Sequence, residues 1–242
     1  MEGINKVVII GAGERVTKIG ELFSKAGLKV VLGKESYSEE LADAGLILEA
    51  LIGDIKPRKE VLYKSGEKTP PDAILATTAP WGITEIAAAT RRPERVIGLN
   101  FTFNPFQEKC LVQMVKGLET SEETIEVCRS LAEKVGTVAV VVEDSPGLIL
   151  DHVIASVINE AATMYVTKVA TIEDIDRITK LCLNWPMGPF EFADVIGIDN
   201  VLVTLEVLSR QEGAQFLPCR LLRQMVASGR LGQKTGKGFY TY

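Results

Sequence analysis

Histidine is almost absent from this chain. His152 is the single histidine among 242 residues, and the four cysteines are scattered with no C-x-x-C pair. No cluster of histidine, cysteine and carboxylate has the spacing of metal ligands, so the sequence predicts no metal site. Cysteines scattered in this way indicate reduced, buried thiols, which is typical of a cytoplasmic protein.

The chain also lacks blocks of basic residues and long apolar runs. Its formal net charge is -5, so we expect no binding to nucleic acid. The N-terminal apolar run, residues 7–10, is too short for a signal segment or a membrane span, so we expect no membrane association. With 46% hydrophobic and 24% charged residues, the composition predicts a globular protein of one or two domains.

The N-terminal part alternates between strand-like and helix-like segments. Residues 6–10 form a β-branched run, typical of a strand buried on both faces of a parallel sheet. A glycine turn follows, and residues 14–26 have helical periodicity. Further strands are predicted at 28–32, 46–51, 73–77, 96–101, 111–115 and 138–142. The alternation predicts a Rossmann-type, doubly wound parallel sheet that forms a dinucleotide-binding domain over residues 1–144.

After residue 144 the pattern becomes helical. Apolar residues recur with a period of 3.6 over 147–169, 171–183, 189–208 and 219–228. Thr171 is a suitable N-cap for the second of these helices. We therefore predict an all-α C-terminal domain over residues 145–242.

The turn after the first strand is a G-x-G-x-x-G site whose third glycine is replaced by Val16. Gly11 and Gly13, with Ala12 between them, let the backbone approach a diphosphate at a helix N-terminus. Val16 affects how closely helix and strand pack, not the phosphate contacts. We therefore expect a dinucleotide at this loop, and a glycine turn without a ligand is the alternative.

The residue after the second strand distinguishes the nicotinamide dinucleotides. An acidic residue there binds the ribose 2′-OH of NAD, whereas a cation accommodates the 2′-phosphate of NADP. Lys34 occupies this position and favours NADP, or weakly held NAD, over tightly bound NAD. The alternative is that Lys34 is a solvated loop charge.

Two segments near the C-terminus resemble signatures of the 3-hydroxyacyl-CoA dehydrogenase family, and in particular of its 3-hydroxybutyryl-CoA dehydrogenase-like members. They are Asn184-Trp185-Pro186-Met187-Gly188-Pro189 and Leu231-Gly232-Gln233-Lys234-Thr235-Gly236-Lys237-Gly238-Phe239-Tyr240. The resemblance covers nearly the whole chain. Asn104-Pro105, Pro146-Gly147-Leu148 and Ala193-Asp194-Val195-Ile196-Gly197 also match.

The resemblance implies NAD-dependent oxidation of an L-3-hydroxyacyl-CoA to the 3-ketoacyl-CoA. In this chemistry a histidine removes the hydroxyl proton while hydride leaves C3 for the nicotinamide. A glutamate orients the histidine and stabilises its cation, and serine and asparagine side chains hold the substrate oxygen.

The catalytic pair of the family is replaced in this chain. Residues 98–105 are one residue longer than the family segment, so the histidine position falls on Asn100 or Phe101, and Gln113 stands at the glutamate position. None of these side chains takes a proton near pH 7. The double loss is coherent, because a glutamate without its imidazole would be a buried, unpaired charge. We therefore expect weak or altered dehydrogenase activity.

Other family positions are substituted or retained. Ala79 and Pro80 fall where the serine is expected, Asp151 where the asparagine is expected, and Gly53 where a glutamate lies near the nicotinamide. The cofactor positions that the resemblance implies are Gly11, Gly13, Ala50, Arg58 in place of a lysine, Asn104 and Lys234. Asn104 is also a catalytic position. The family's helical insertion over the CoA is missing between the second and third strands, so we expect reduced affinity for an acyl-CoA.

A relocated base is a further alternative. His152 follows Asp151, but neighbouring helix residues do not share a face, so both cannot point into one cleft. A surface or interface histidine is therefore the simpler interpretation. Lys109 is another candidate, although its spacing does not single it out.

The sequence leaves three functional hypotheses open. The first is a dehydrogenase with altered activity. The second is a catalytically inactive homologue that binds a nucleotide or serves as the partner subunit of an active enzyme. The third is a protein that binds an unrelated acidic ligand at the glycine loop. The resemblance implies a homodimer through the helical domain, with a heteromer as the alternative. The apolar faces of residues 153–164 and 195–208 fit this pairing and also fit ordinary core packing.

Overall fold

The chain forms two compact units in a computed structural model that describes residues 4–33, 39–103 and 110–242. The first unit is Met1–Ser145 and the second is Pro146–Tyr242. Within the described residues, no helix has the length and apolar content needed to cross a membrane.

Seven strands in the described part of the first unit form one sheet. They are β1 (Lys6–Gly11), β2 (Lys29–Gly33), β3 (Leu46–Ala50), β4 (Ile74–Thr77), β5 (Val96–Phe103), β6 (Cys110–Lys116) and β7 (Val138–Glu143). Their order is β2-β1-β3-β4-β5-β6-β7. β1 to β5 are parallel, β6 is antiparallel to β5, and β7 is parallel to β6. The predicted fold class is confirmed, but the sheet is not parallel throughout.

Helices cover both faces of the sheet. They are α1 (Glu14–Lys25), α2 (Ile55–Gly66), α3 (Ile83–Ala87) and α4 (Glu122–Lys134). Val16 and Phe23 of α1 and Leu131 of α4 pack into one core against the first face. α2 contacts β3 and β4, and α3 contacts β5 and β6. Strands such as β1 and β3 are apolar nearly throughout because both of their faces are covered.

The second unit is built from helices. They are α5 (Ile149–Val166), α6 (Ile172–Leu183), α7 (Pro189–Ile196), α8 (Ile198–Gln211) and α9 (Arg220–Ala227). The prediction of one helix over residues 189–208 is wrong, because the chain breaks at Gly197 into α7 and α8. Gly197 has φ +95°, and a Cβ there would lie 2.8 Å from Oδ1 of Asp199 and 2.9 Å from Nζ of Lys234. Glycine meets both constraints.

Two buried carboxylates organise this unit. Asp194 accepts hydrogen bonds from the backbone N–H groups of Phe239 at 2.9 Å and Tyr240 at 2.8 Å. A Cβ on Gly238 would lie 1.9 Å from Oδ1 of Asp194, so only glycine fits. Asp176 accepts from the backbone of Phe190 at 2.9 Å and from the Tyr240 hydroxyl at 2.8 Å. The C-terminal segment is therefore fixed by acceptors on α6 and α7.

Candidate functional site

The glycine loop lies at the point where the strand order reverses, between β1 and β3. Gly11 is paired with Ala50 at the carboxyl ends of these strands, and a Cβ on Gly11 would lie 2.6 Å from the Ala50 carbonyl oxygen. A crevice at such a switch point is where open α/β sheets bind ligands. The close approach of Gly11 to Ala50 explains why glycine is required there.

The loop fits the diphosphate of a dinucleotide. Gly13 has φ +103° and is the N-cap of α1, and no side chain caps the helix there. A Cβ on Gly13 would have nothing within 4 Å, so the backbone faces open space. The first N–H groups of a helix attract an anion because they have no partner within the helix. Val16, at the third glycine position, is buried in the core between α1 and the sheet.

Three further residues were predicted to contact the cofactor. Lys34 and Asn104 lie outside the described residues. Lys234, in the helical unit, forms an ion pair with Asp199, with Nζ and Oδ1 2.6 Å apart. The structure does not test the cofactor role of any of these residues, so the assignments stay predictions.

A row of polar side chains is buried on the face of the sheet that α2 and α3 cover. Glu49, Thr77, Asn100 and Gln113 come from four neighbouring strands, β3 to β6, and all four are buried. Glu49 is paired with Thr77 in the register of β3 and β4, and Asn100 with Gln113 in that of β5 and β6. We call these four residues the polar row. It lies toward the carboxyl ends of the parallel strands, where this fold binds ligands.

The carboxylate of Glu49 is the charged member of the polar row, and Arg58 of α2 neutralises it. Nη1 of Arg58 donates to both carboxylate oxygens, at 3.1 and 3.0 Å, while Nη2 donates to the Leu51 carbonyl. The Thr77 hydroxyl and the Leu51 N–H also donate to the carboxylate, each at 2.5 Å. Arg58 therefore stabilises the end of β3 through contacts within the protein. These contacts do not depend on a cofactor.

The network continues from Thr77 to Asn100 through one peptide. The Thr77 hydroxyl oxygen accepts a hydrogen bond from the Ala79 N–H at 3.0 Å. The Ala79 carbonyl accepts from Nδ2 of Asn100 at 2.9 Å. Sequence reasoning placed Ala79 at the position of a substrate-binding serine, and its side chain offers no donor. In the structure Ala79 connects two members of the polar row through its backbone.

Of the two candidates for the histidine position, Asn100 lies on the face that carries Gln113. Cross-strand partners in an antiparallel pair point to the same face, and Asn100 is directly opposite Gln113. Phe101 points to the other face, where its ring packs edge-on against Phe23 with centroids 5.6 Å apart. Asparagine and glutamine therefore stand side by side where the resemblance places a base and its partner.

Asn100 is engaged at both ends of its amide. Nδ2 donates to Ala79, and Oδ1 accepts a hydrogen bond from Nη2 of Arg15 at 3.3 Å. The same Nη2 lies 3.4 Å from the Phe101 carbonyl. Arg15 belongs to the first turn of α1, directly after the glycine loop. Sequence reasoning missed this contact, because 85 residues separate the two side chains.

The structure describes the surroundings of some of the remaining candidates. Asp151 lies in the first turn of α5, and its predicted role is untested. His152 packs edge-on against Phe216, with ring centroids 4.9 Å apart, as a packing histidine would. Gly53 is exposed with φ +101°, and Lys109 lies outside the described residues. No group of three His, Cys, Asp or Glu side chains in the described ranges could hold a metal ion.

Comparisons with known proteins agree with the fold. Residues 33–145 match the family model "3-hydroxyacyl-CoA dehydrogenase, NAD binding domain", and residues 147–242 match "3-hydroxyacyl-CoA dehydrogenase, C-terminal domain". The prediction of a nicotinamide dinucleotide is thereby confirmed at the level of the domain. The glycine loop precedes the first matched range, so its assignment depends on the geometry described above.

Individual relatives cover most of this chain. A Bacillus subtilis protein named "Probable 3-hydroxybutyryl-CoA dehydrogenase" is 43% identical over 220 residues, which are 89% of this chain and 76% of the relative. The 3-hydroxybutyryl-CoA dehydrogenase of Clostridioides difficile is 40% identical over 243 residues, covering 100% of this chain and 84% of the relative. The crystal structure of FadB2 from M. tuberculosis has a TM-score of 0.92 and 26% identity, and the match covers 100% of both chains.

Breaking the Glu49–Arg58 pair should destabilise the first unit. We expect Glu49→Gln to lower the free energy of unfolding by about 3–5 kcal/mol, because Arg58 is left as a buried charge. The double variant Glu49→Gln/Arg58→Met should cost about 2 kcal/mol less than the sum of the single variants. Chemical denaturation followed by Trp81 fluorescence, in a Trp185→Phe background, measures this unit alone.

The exposed pair Lys59–Glu85, which joins α2 to α3, provides the matched control. The single variants Lys59→Met and Glu85→Gln, together with their double variant, give the coupling energy of this pair. It should stay below about 1 kcal/mol, as for other solvent-exposed pairs. Equal coupling energies for the buried and exposed pairs would contradict the role assigned to Glu49.

Proposed function

The chain belongs to the 3-hydroxyacyl-CoA dehydrogenase family of oxidoreductases, and we propose that it binds a nicotinamide dinucleotide at Gly11–Gly13 but interconverts 3-hydroxyacyl-CoA and 3-ketoacyl-CoA only weakly. One observation carries the proposal. Asn100 and Gln113, two neutral amides, lie opposite each other, and the family resemblance assigns the catalytic pair to these positions.

Neither amide can replace the missing base. An effective base has a pKa near the working pH and must move a proton. A side-chain amide neither gains nor loses a proton near pH 7, and both ends of the Asn100 amide are already hydrogen-bonded. The loss of base catalysis alone lowers a rate by roughly 10²–10⁴-fold. The fold, the loop and the polar row would still hold the dinucleotide, since none of them depends on a titrating group at residue 100.

The residues of this chain would then bind and orient the dinucleotide and the substrate, and they would not transfer protons. The glycine loop and the N-terminus of α1 would hold the diphosphate, and the bound nicotinamide would supply hydride chemistry. The Ala79 peptide, fixed by Thr77 and Asn100, would shape the surface against which the reacting groups lie. The 3-hydroxyacyl-CoA substrate class follows from the family, and the short connection between β2 and β3 supports reduced CoA affinity.

Binding of the dinucleotide is the first expectation. Calorimetric titration of the purified protein with NADH and NADPH should show micromolar binding of at least one of them. Binding of the nucleotide should strengthen when acetoacetyl-CoA is present, because the two ligands would lie next to each other in a ternary complex with the protein. Absence of binding for both nucleotides, with circular dichroism showing a folded protein, would exclude the enzyme hypothesis and leave the partner-subunit alternative.

Restoring the catalytic pair should restore activity. We expect Asn100→His/Gln113→Glu to raise the rate of NADH-dependent acetoacetyl-CoA reduction by roughly 10²–10⁴-fold over the unaltered chain, because a base and its orienting acid return together. Stopped-flow absorbance of NADH measures this rate.

Two variants test whether the gain comes from the pair. Gln113→Glu alone introduces the acid without a base, so its rate should stay at the original level. Asn100→His alone should gain less than the double variant, because the imidazole lacks its partner. If the double variant is folded, binds NADH and gains no activity, catalysis in this chain is limited by something other than the missing pair.

The helical unit has exposed apolar side chains that favour association with a second protein chain. Ile178, Leu181 and Leu183 of α6 are exposed apolar side chains, and Leu181 is 77% exposed. Ile178 and Leu181 lie three residues apart and therefore share a helix face. Clustered exposed apolar residues of this kind mark interaction surfaces. We propose that a second copy of the chain packs on this face of α6, in keeping with the dimer that the family resemblance implies.

Leu181→Asp should convert the dimer to a monomer, because a buried carboxylate without a partner opposes association. Analytical ultracentrifugation of the full chain measures the mass. Leu118→Asp is the matched control, since Leu118 is 85% exposed but belongs to the first unit, and it should remain dimeric. A monomeric unaltered chain would contradict the homodimer and favour pairing with an active subunit.

A further inference from the structure

Arg15 brings a positive charge to the carboxyl end of the sheet. It is the second residue of α1, yet its guanidinium is hydrogen-bonded to the side chain of Asn100 and lies near the Phe101 carbonyl, both on β5. Burial raises the pKa of the Cys110 thiol to about 11, and the nearby charge of Arg15 partly offsets this rise. The guanidinium therefore lies over the end of β5 and the start of β6.

The topology determines which half of a dinucleotide would meet this charge. In this fold the residue after the second strand binds the ribose of the adenosine half, and the glycine loop binds the diphosphate. β2 lies on one side of β1, and β3, β4 and β5 lie on the other. The nicotinamide half must then extend toward the side where Arg15 and Asn100 lie. Arg15 thus belongs to the half of the site that distinguishes oxidised from reduced cofactor.

We propose that Arg15 makes this site selective for the reduced dinucleotide, an inference that rests on the proposed function. The nicotinamide ring of NAD⁺ carries a positive charge, whereas the ring of NADH is neutral. The diphosphate and the adenosine are the same in both forms. A guanidinium stays protonated at any working pH, so Arg15 repels only the oxidised ring.

The expected effect is at least about tenfold in relative affinity. Two like charges a few ångströms apart in a partly solvated cleft repel each other by more than this ratio requires. Arg15 is exposed, so salt screens part of the repulsion. Selectivity for NADH should therefore decrease as ionic strength rises.

Calorimetric titration with NADH and with NAD⁺ tests the proposal on the full chain. The unaltered protein should bind NADH at least about tenfold more tightly than NAD⁺. Arg15→Gln should bring the two affinities close together, mainly by strengthening NAD⁺ binding, since glutamine is neutral and still donates hydrogen bonds. Arg15→Lys keeps the charge and should keep the preference. Lys18→Gln is the matched control, because Lys18 is an exposed cation of the same helix that pairs with Glu14.

The outcomes separate this inference from the function on which it rests. If Arg15→Gln weakens the binding of NADH and of NAD⁺ equally, Arg15 binds the diphosphate that both forms share, and the inference is wrong. The proposal that the chain binds a dinucleotide is then unaffected. An unchanged ratio of affinities also overturns it. A preference lost equally in Lys18→Gln would mean that the net charge of the helix, not Arg15, sets the selectivity. If neither NADH nor NAD⁺ binds any of the folded variants, the proposed function fails and the inference fails with it.

Discussion

A carboxylate buried away from water needs a positive partner, and the ion pair of Glu49 with Arg58 meets this need at the centre of the first unit. Its consequences reach the glycine loop and the loop after β4. The Glu49 carboxylate also accepts the Leu51 N–H, which fixes the backbone on either side of Ala50. Because Gly11 lies against the Ala50 carbonyl, the shape of the glycine loop depends on this ion pair. The Thr77 hydroxyl, bonded to the same carboxylate, carries the constraint to the loop after β4.

The same electrostatic rule accounts for the neutral half of the polar row. Glu49 remains charged in the interior because Arg58 is placed to neutralise it. Gln113 is also buried, and its cross-strand partner Asn100 is neutral. An amide at residue 113 opposite the neutral Asn100 leaves no charge buried on either side chain. Compared with the charged pair that the family resemblance implies, both side chains are neutral amides, and Asn100 is hydrogen-bonded to Ala79 and Arg15.

Local patterns in the sequence were sufficient for some parts of the structure and insufficient for others. β1, the glycine turn and α1 follow from a β-branched run, two glycines and a 3.6-residue period, all within 25 residues. The direction of β6 could not be predicted, since an apolar run looks the same in a parallel or an antiparallel strand. The helix break at Gly197 was missed because Asp199 and Lys234 create the crowding there. Glu49 within an apolar strand was a signal for the polar row, but its contact with Thr77 spans 28 residues.

The family signatures near the C-terminus have a structural explanation that is independent of the reaction. Gly238 has no space for a side chain beside the carboxylate of Asp194, and the backbone of Phe239 and Tyr240 binds that carboxylate directly. These residues are needed wherever the helical unit folds, whatever reaction occurs nearby. Strands β5 and β6, in contrast, keep their pairing with amides at residues 100 and 113, because the register depends on the backbone and on the apolar neighbours. The pairing of the strands and the fold of the helical unit therefore do not depend on which side chains stand at residues 100 and 113.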